Sequence, residues 1–237
     1  MATPSIRVFA ALVCTLTSYY VPISSDIDRG IDSDKAVDYG QKRVVVETAF
    51  RHFNPNVSDG LVTKFLEVTR AYHLDDEPLF RKCISQICLE SSANHSSLSP
   101  TGAVGIGQIV PTTAFDVLRH VSDEEASKMR SLGAKSIRWA LNGEYSSHVV
   151  DGKVRYYISR EIRKKAIAWL QDPTNNLILW AYMMKDYTST MKHDRAFLAY
   201  RIGEGGAIRY ASNPSSHPYL AGMRRITSLI KKKERGA

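Results

Sequence analysis

The chain has 237 residues, of which 43% are hydrophobic and 24% charged; this length suits one domain with additions or two small ones, at roughly 100 to 200 residues each. Ordinary globular usage of this kind rules out collagen-like, low-complexity and wholly disordered chains. Lys and Arg outnumber Asp and Glu by 32 to 24, and the resulting charge of +8 favours polyanionic partners: nucleic acid, anionic lipid or an anionic wall polymer.

Residues 8–25 carry no charge and follow a lone Arg7, which reads as a cleaved signal or a membrane-anchoring segment over 1–25. The stretch is short for a spanning helix of about 20 apolar residues and contains Thr, Ser and Pro22. Cys14, after Ala-Leu-Val, is a weak lipid-attachment signal. Residues 26–56 read as a linker and a leading helix. Asp26, Asp28, Asp32 and Asp34 do not form a calcium loop, because Gly30 is misplaced for one and no Glu closes it. With neither a C-x-x-C pair nor an H-E-x-x-H run in the chain, no metal site and no cofactor are expected.

Helical periodicity dominates from there. Leu61, Phe65, Val68 and Tyr72 recur at helical spacing, with Ser58 or Asp59 placed to cap. A second helix is expected to open at Asp76-Glu77-Pro78 and run to about Ser91, with Phe80, Cys83, Ile84, Ile87 and Cys88 on one stripe. The five-residue separation of Cys83 and Cys88 sends their side chains to different parts of the face, so both read as buried thiols. A helix near Thr112 follows. Then come stripes at Ile162, Ala166, Trp169 and Leu170, at Leu177, Trp180, Ala181 and Met184, over 196–200, and at Tyr219, Met223, Ile226 and Ile230. The exception is 147–158, where Asp151-Gly152 separates two β-prone runs and predicts a hairpin. One hairpin among helices makes the fold α+β, mostly α.

The segment from Ser91 to Pro111 is small, polar and glycine-rich, suited to lining a cleft. Gly102, Gly105 and Gly107 allow close backbone approach, but their spacing is not that of a phosphate cradle. Glu90 stands at the mouth of this loop, near the edge of the buried stripe, where partial burial raises a carboxyl pKa toward that of a general acid. From helix position alone the alternative is a solvated acid in a last turn, which the helix dipole disfavours.

Glu90-Ser91 followed by Ser99-x-x-Gly102-Ala103-x-Gly105-x-x-Gln108-Ile109-x-Pro111-x-Thr113-Ala114 resembles the signature of the soluble lytic transglycosylases, relatives of goose-type lysozyme. Downstream, Asp172-Pro173-x-x-Asn176-Leu177 is similar to that family's Asp-Pro-x-x-Asn-Ile helix start, and Ala199-Tyr200-x-x-Gly203 to its Ala-Tyr-Asn-x-Gly motif. The resemblance covers roughly residues 57 to 230. It implies a lysozyme-like fold over 57–237 with an insertion around 120–160 that holds the hairpin.

It also implies cleavage of the MurNAc-β-1,4-GlcNAc bond of peptidoglycan with formation of a 1,6-anhydro product, Glu90 serving as the one general acid and base. Ser99, Gln108, Tyr200, Gly105, Ile106 and Arg201 fall at positions implied to meet the sugar or orient the acid. Four departures stand out: Gly107 replaces the usual Met, Arg201 the usual Asn after Ala-Tyr, Trp180 a glycine of the helix that starts at Asp172, and Ser215 an acid before the last helix. Trp139, Tyr145, Tyr156 and Tyr157 in the insertion read either as a glycan-binding lip or as an interface to a larger assembly.

Two other readings accompany this one. A hydrolytic lysozyme of the same fold would need a second acid, with Glu144, Glu161 and Glu204 as candidates. A weakly active structural or wall-binding component of a phage particle or envelope complex would bind without cutting. The expected partners are peptidoglycan strands, virion or envelope proteins, and membrane through the N-terminus, at the cell envelope, in the periplasm or in a virion. The Arg224-Arg225 and Lys231-Lys232-Lys233 runs read as a solvated tail or wall attraction, so no specific nucleic acid is expected.

Overall fold

Hydroxyl and carboxylate caps set four helix starts in this computed structural model, which describes residues 39–150, 153–210 and 212–235. Ser58 Oγ accepts from the Leu61 amide and opens α2 (Asp59–Ala71), which follows α1 (Tyr39–Phe53). α3 (Leu79–Ser91) starts one residue after Pro78, which takes the capping position rather than a place in the first turn. α4 (Pro111–Arg119) has its proline at the first position, where a missing N–H costs nothing. Ser122, Ser159 and Asp172 then cap α5 (Asp123–Ser131), α7 (Arg160–Leu170) and α8 (Pro173–Thr190).

Between α5 and α7 lie the single turn α6 (Arg138–Leu141) and the hairpin, with β1 (Tyr145–Val150) paired antiparallel to β2 (Lys153–Ile158) in the register Tyr145 to Ile158. The chain ends with α9 (His193–Ile202), α10 (Glu204–Ile208), a 3-10 turn at Pro214–Ser216 and α11 (Pro218–Arg235). The described residues are therefore mostly helical with one two-stranded sheet, as the α+β reading expects. The expected 1–25 segment, the linker up to residue 38 and the Asp151-Gly152 turn lie outside the described residues. Among the described residues no helix is long and apolar enough to cross a membrane.

The core is a run of aromatic contacts centred on Phe65 of α2, whose ring lies 5.1 Å from Phe50, 6.1 Å from Phe80 and 5.6 Å from Trp180. α8 is sheathed on all sides over its N-terminal half, where Asn175 through Ala181 are fully buried, as expected of a segment apolar around its circumference. It packs on α2, α7 and α9, while α3 packs on α1 and α11. Cys83 and Cys88 are buried free thiols within this core, and burial pushes both well above the ordinary thiol range.

Two buried asparagines in the first turn of α8 are the polar exception, and each fastens a different loop. Asn175 Nδ2 donates to Trp169 O at 2.9 Å while its Oδ1 accepts from the Lys135 amide at 2.8 Å. Asn176 Nδ2 donates to Val104 O and Leu170 O at 2.9 and 3.0 Å, and its Oδ1 accepts from the Gly107 amide at 2.8 Å. The 92–110 loop is thereby pinned to α8. It is braced internally by reciprocal bonds between Val104 and Ile109 and by Gly105 N donating to Ser97 O at 2.8 Å. Gly105 has φ +75, and a Cβ there meets the Leu170 carbonyl at 2.9 Å, so glycine is required by conformation and by space alike.

Two of the insertion aromatics, Trp139 and Tyr145, pack against the body of the protein. Trp139 lies 6.5 Å from Phe115 and 6.3 Å from Trp169, and Tyr145 packs edge-on to Phe115 at 5.1 Å while its hydroxyl donates to Asp116. Both rings belong to the packing of α4 on α7. Tyr157 is exposed beside His148, and the Tyr156 side chain lies outside the described residues.

Replacing Asn176 by Ala strands the Gly107 amide and the Leu170 carbonyl, each worth about 1–3 kcal/mol, and takes from the Val104 carbonyl one of its two bonds. Asn176→Ala is therefore expected to lower the unfolding free energy by about 3 kcal/mol or more in urea titrations; a loss under about 1 kcal/mol contradicts the pinning role.

Candidate active site around Glu90

Glu90 lies in the last turn of α3, which ends where Ser92 turns into the left-handed region at φ 54. Its side chain is 5% exposed. Two groups reach the carboxyl, one on each oxygen. The Tyr219 hydroxyl of α11 donates to Oε1 at 2.7 Å, and Arg201 Nη1 of α9 donates to Oε2 at 3.4 Å. The arginine carbon lies 5.9 Å from the Tyr219 ring centre, so cation, ring and carboxylate form one cluster.

Burial and partners act in opposite directions here. Burial raises the Glu90 pKa above the ordinary glutamate value, and the Tyr219 hydrogen bond and the Arg201 charge offset it only in part. Tyr219 and Tyr200 are pushed well above the usual phenol range, first by burial and then by the charge on Glu90. Both stay neutral near neutral pH and act as hydrogen-bond donors. No carboxylate is among the groups that shift Glu90.

The remaining sequence candidates divide by what their polar atoms already do. Tyr200 donates to Gly107 O at 2.6 Å, so Gly107 is held on its N–H by Asn176 of α8 and on its carbonyl by α9. Gln108, at φ 52, spends its amide on Gly105 O and Ser97 O at 2.8 and 3.2 Å. Ser99 Oγ accepts from the Ala103 amide at 2.9 Å and shares a bond with Thr101. Ile106 is fully buried, and Gly105 packs on Asn176 and the Leu170 carbonyl. These residues hold the loop in shape. Of the six, Arg201 alone combines an exposed side chain with a contact to Glu90.

None of the candidate second acids is among the groups that shift Glu90. Glu144 is exposed, Glu161 pairs on the surface with Lys165 at 2.6 Å, and the charge of Glu204 acts on Tyr187. Among the described residues no group of three or more His, Cys, Asp or Glu is arranged to hold a metal ion. Two recesses, about 470 Å³ over Arg224 and Arg225 and about 590 Å³ between α5 and α6, are not lined by Glu90.

Two residues around Glu90 have no functional role in the sequence pattern. Tyr219 enters it only as part of an apolar stripe, although a hydroxyl on such a stripe needs a partner when buried. Gln86, one helical turn before Glu90, is fully buried and accepts from Trp180 Nε1 at 3.0 Å. Its amide also acts on the Tyr219 phenol, lowering its pKa.

Trp180 and Gly107 meet in space: a Cβ at 107 lies 3.1 Å from the Trp180 Cβ and 3.2 Å from the Tyr200 hydroxyl. Trp180 and the Tyr200 hydroxyl thus occupy the space that a side chain at position 107 would need. Ser215 Oγ donates to Asp194 Oδ2 at 3.3 Å, and Asp194 also pairs with Lys82 at 2.6 Å, so an acid from α9 stands beside Ser215.

Comparisons with protein-family models, with curated proteins and with solved structures give no match.

A raised folded-state pKa fixes the sign of a stability test. Between the ordinary value and the raised one the folded state binds more protons than the unfolded state, so this contribution to stability falls as pH rises through that window. Glu90→Gln removes it. The variant is expected to melt above the parent at about pH 7, the gap closing as pH drops below the ordinary glutamate range; a parent that melts higher at pH 7 contradicts the burial argument.

Proposed function

We propose that the chain is a peptidoglycan lytic transglycosylase of lysozyme-like fold, with Glu90 as its single acid and base. The observation that carries this reading is the buried carboxyl at the end of α3, raised by burial against the opposing pull of Tyr219 and Arg201. The loop packed behind it supports the same reading, because its glycine-rich path is fixed by Asn176 and Tyr200 from two helices. The net charge of +8 suits an anionic wall polymer.

The chemistry balances on one group. Protonated Glu90 gives its proton to the glycosidic oxygen as the bond from the muramoyl C1 breaks, and the sugar takes on oxocarbenium character. The Glu90 carboxylate then takes the proton of the muramoyl C6 hydroxyl as that oxygen bonds to C1. The product is a 1,6-anhydro sugar, and Glu90 ends protonated as it began. Tyr219 steadies Oε1 throughout by donating to it. A hydrolytic route needs a base to activate water, and Glu204, Glu161 and Glu144 have other surroundings. The same reading places the protein at a bacterial envelope or in a phage particle that opens the wall.

Mass spectrometry of fragments released from purified peptidoglycan tests this. Anhydromuramoyl ends are expected from the parent, with release reduced about 1,000-fold or more in Glu90→Gln, within the range a general acid contributes. Reducing muramoyl ends, or equal release by the variant, would overturn it.

A further inference from the structure

Arg201 is the exposed partner of Glu90. The carboxyl side chain is 5% exposed and the guanidinium side chain 52% exposed, so the arginine is open to a ligand that reaches this cluster. Its hold on the protein is slight. Among the described residues its one hydrogen bond is the 3.4 Å contact to Glu90, long beside the roughly 2.7–2.9 Å of charge-assisted bonds. A guanidinium carries five N–H donors in a planar fork that matches a carboxylate, and most of that fork is unspent here. The neighbouring cations are committed: Lys82 Nζ lies 2.6 Å from Asp194, and Arg224 Nη2 donates to Ser215 O at 2.7 Å.

The residue is also placed where a bound anion affects the acid. Arg201 favours the ionised form of Glu90, whereas a general acid must hold its proton until the bond breaks. A ligand that draws the guanidinium away removes one of the two groups that oppose protonation.

Resting on the reading of Glu90 as the general acid, we infer that Arg201 is a specificity-determining residue that binds a carboxylate of the glycan substrate and leaves Glu90 in doing so. The exchange replaces one long contact by a paired, two-bond one. A muramoyl polymer presents such a carboxylate from two sources: the lactyl group of a unit without its stem peptide, or the peptide itself.

Turnover of four substrates by the full chain and by Arg201→Gln tests the inference: peptide-free glycan strands with lactyl carboxylates free or amidated, and sacculi with peptide carboxylates free or amidated. Amidation of one of these pairs is expected to lower kcat/KM of the parent about tenfold, the scale of a hydrogen bond to a charged group, and to leave Arg201→Gln unaffected. The pair that responds identifies the source. Equal slowing of Arg201→Gln on free and amidated forms of both substrates overturns the inference, since the arginine then acts through Glu90 alone.

Calorimetric binding of the strands and sacculi to Glu90→Gln and to Glu90→Gln/Arg201→Gln separates this from the underlying reading. Binding that depends on the carboxylate and on Arg201, with no turnover by the parent, sinks the transglycosylase reading and keeps the clamp. Binding indifferent to amidation in both substrates sinks the clamp whatever the turnover.

Discussion

The Asn176 side chain is the constraint from which the site follows. One amide, buried in the first turn of α8, closes three hydrogen bonds to Gly107, Val104 and Leu170. A buried amide left unpaired is costly and a paired one is specific, so the loop has one place to sit. With Gly107 fixed on its other side by Tyr200, the loop path, α8 and α9 become a single unit. Arg201 follows Tyr200 directly in the chain, and its approach to Glu90 is set by the same anchoring.

Around the acid, the packing and the electrostatics share residues. Trp180 occupies the space beside Gly107 and hands a hydrogen bond to Gln86, whose amide acts on Tyr219, which in turn donates to Glu90. Burial raises the Glu90 pKa while Tyr219 and Arg201 lower it, and burial wins. An acid held in that balance changes its proton affinity when either partner moves.

Much of this was readable from the sequence, for physical reasons that differ by element. α2, α3, α7 and α8 announce themselves by apolar residues at helical spacing, and the hairpin by two β-prone runs around Asp-Gly. α5 went unmarked although Ser122 and Glu125 form the spacing of a capping box and Ser122 Oγ accepts from the Glu125 amide; its polar composition hid the two residues it buries, Ala126 and Met129. α6 and α10 span one turn or little more, too short for any period to show. Glu90 was visible because its motif neighbours are close in sequence. Tyr219 was not, since 129 residues separate it from the carboxyl it touches, and only the packing of α11 on α3 brings them together. Ser99, Gln108 and Tyr200 were found by pattern, yet their polar atoms brace the loop, a distinction that depends on hydrogen-bond partners no sequence shows.

Titration of the Glu90 side-chain carboxyl by carbon-13 NMR, in the parent and in Tyr219→Phe and Arg201→Gln proteins, tests whether burial governs this acid. A midpoint above the usual glutamate range in the parent, moved higher still by each substitution, is the predicted result, because each substitution removes a group that favours the carboxylate. A parent midpoint at or below the usual range, or a fall on either substitution, would contradict it.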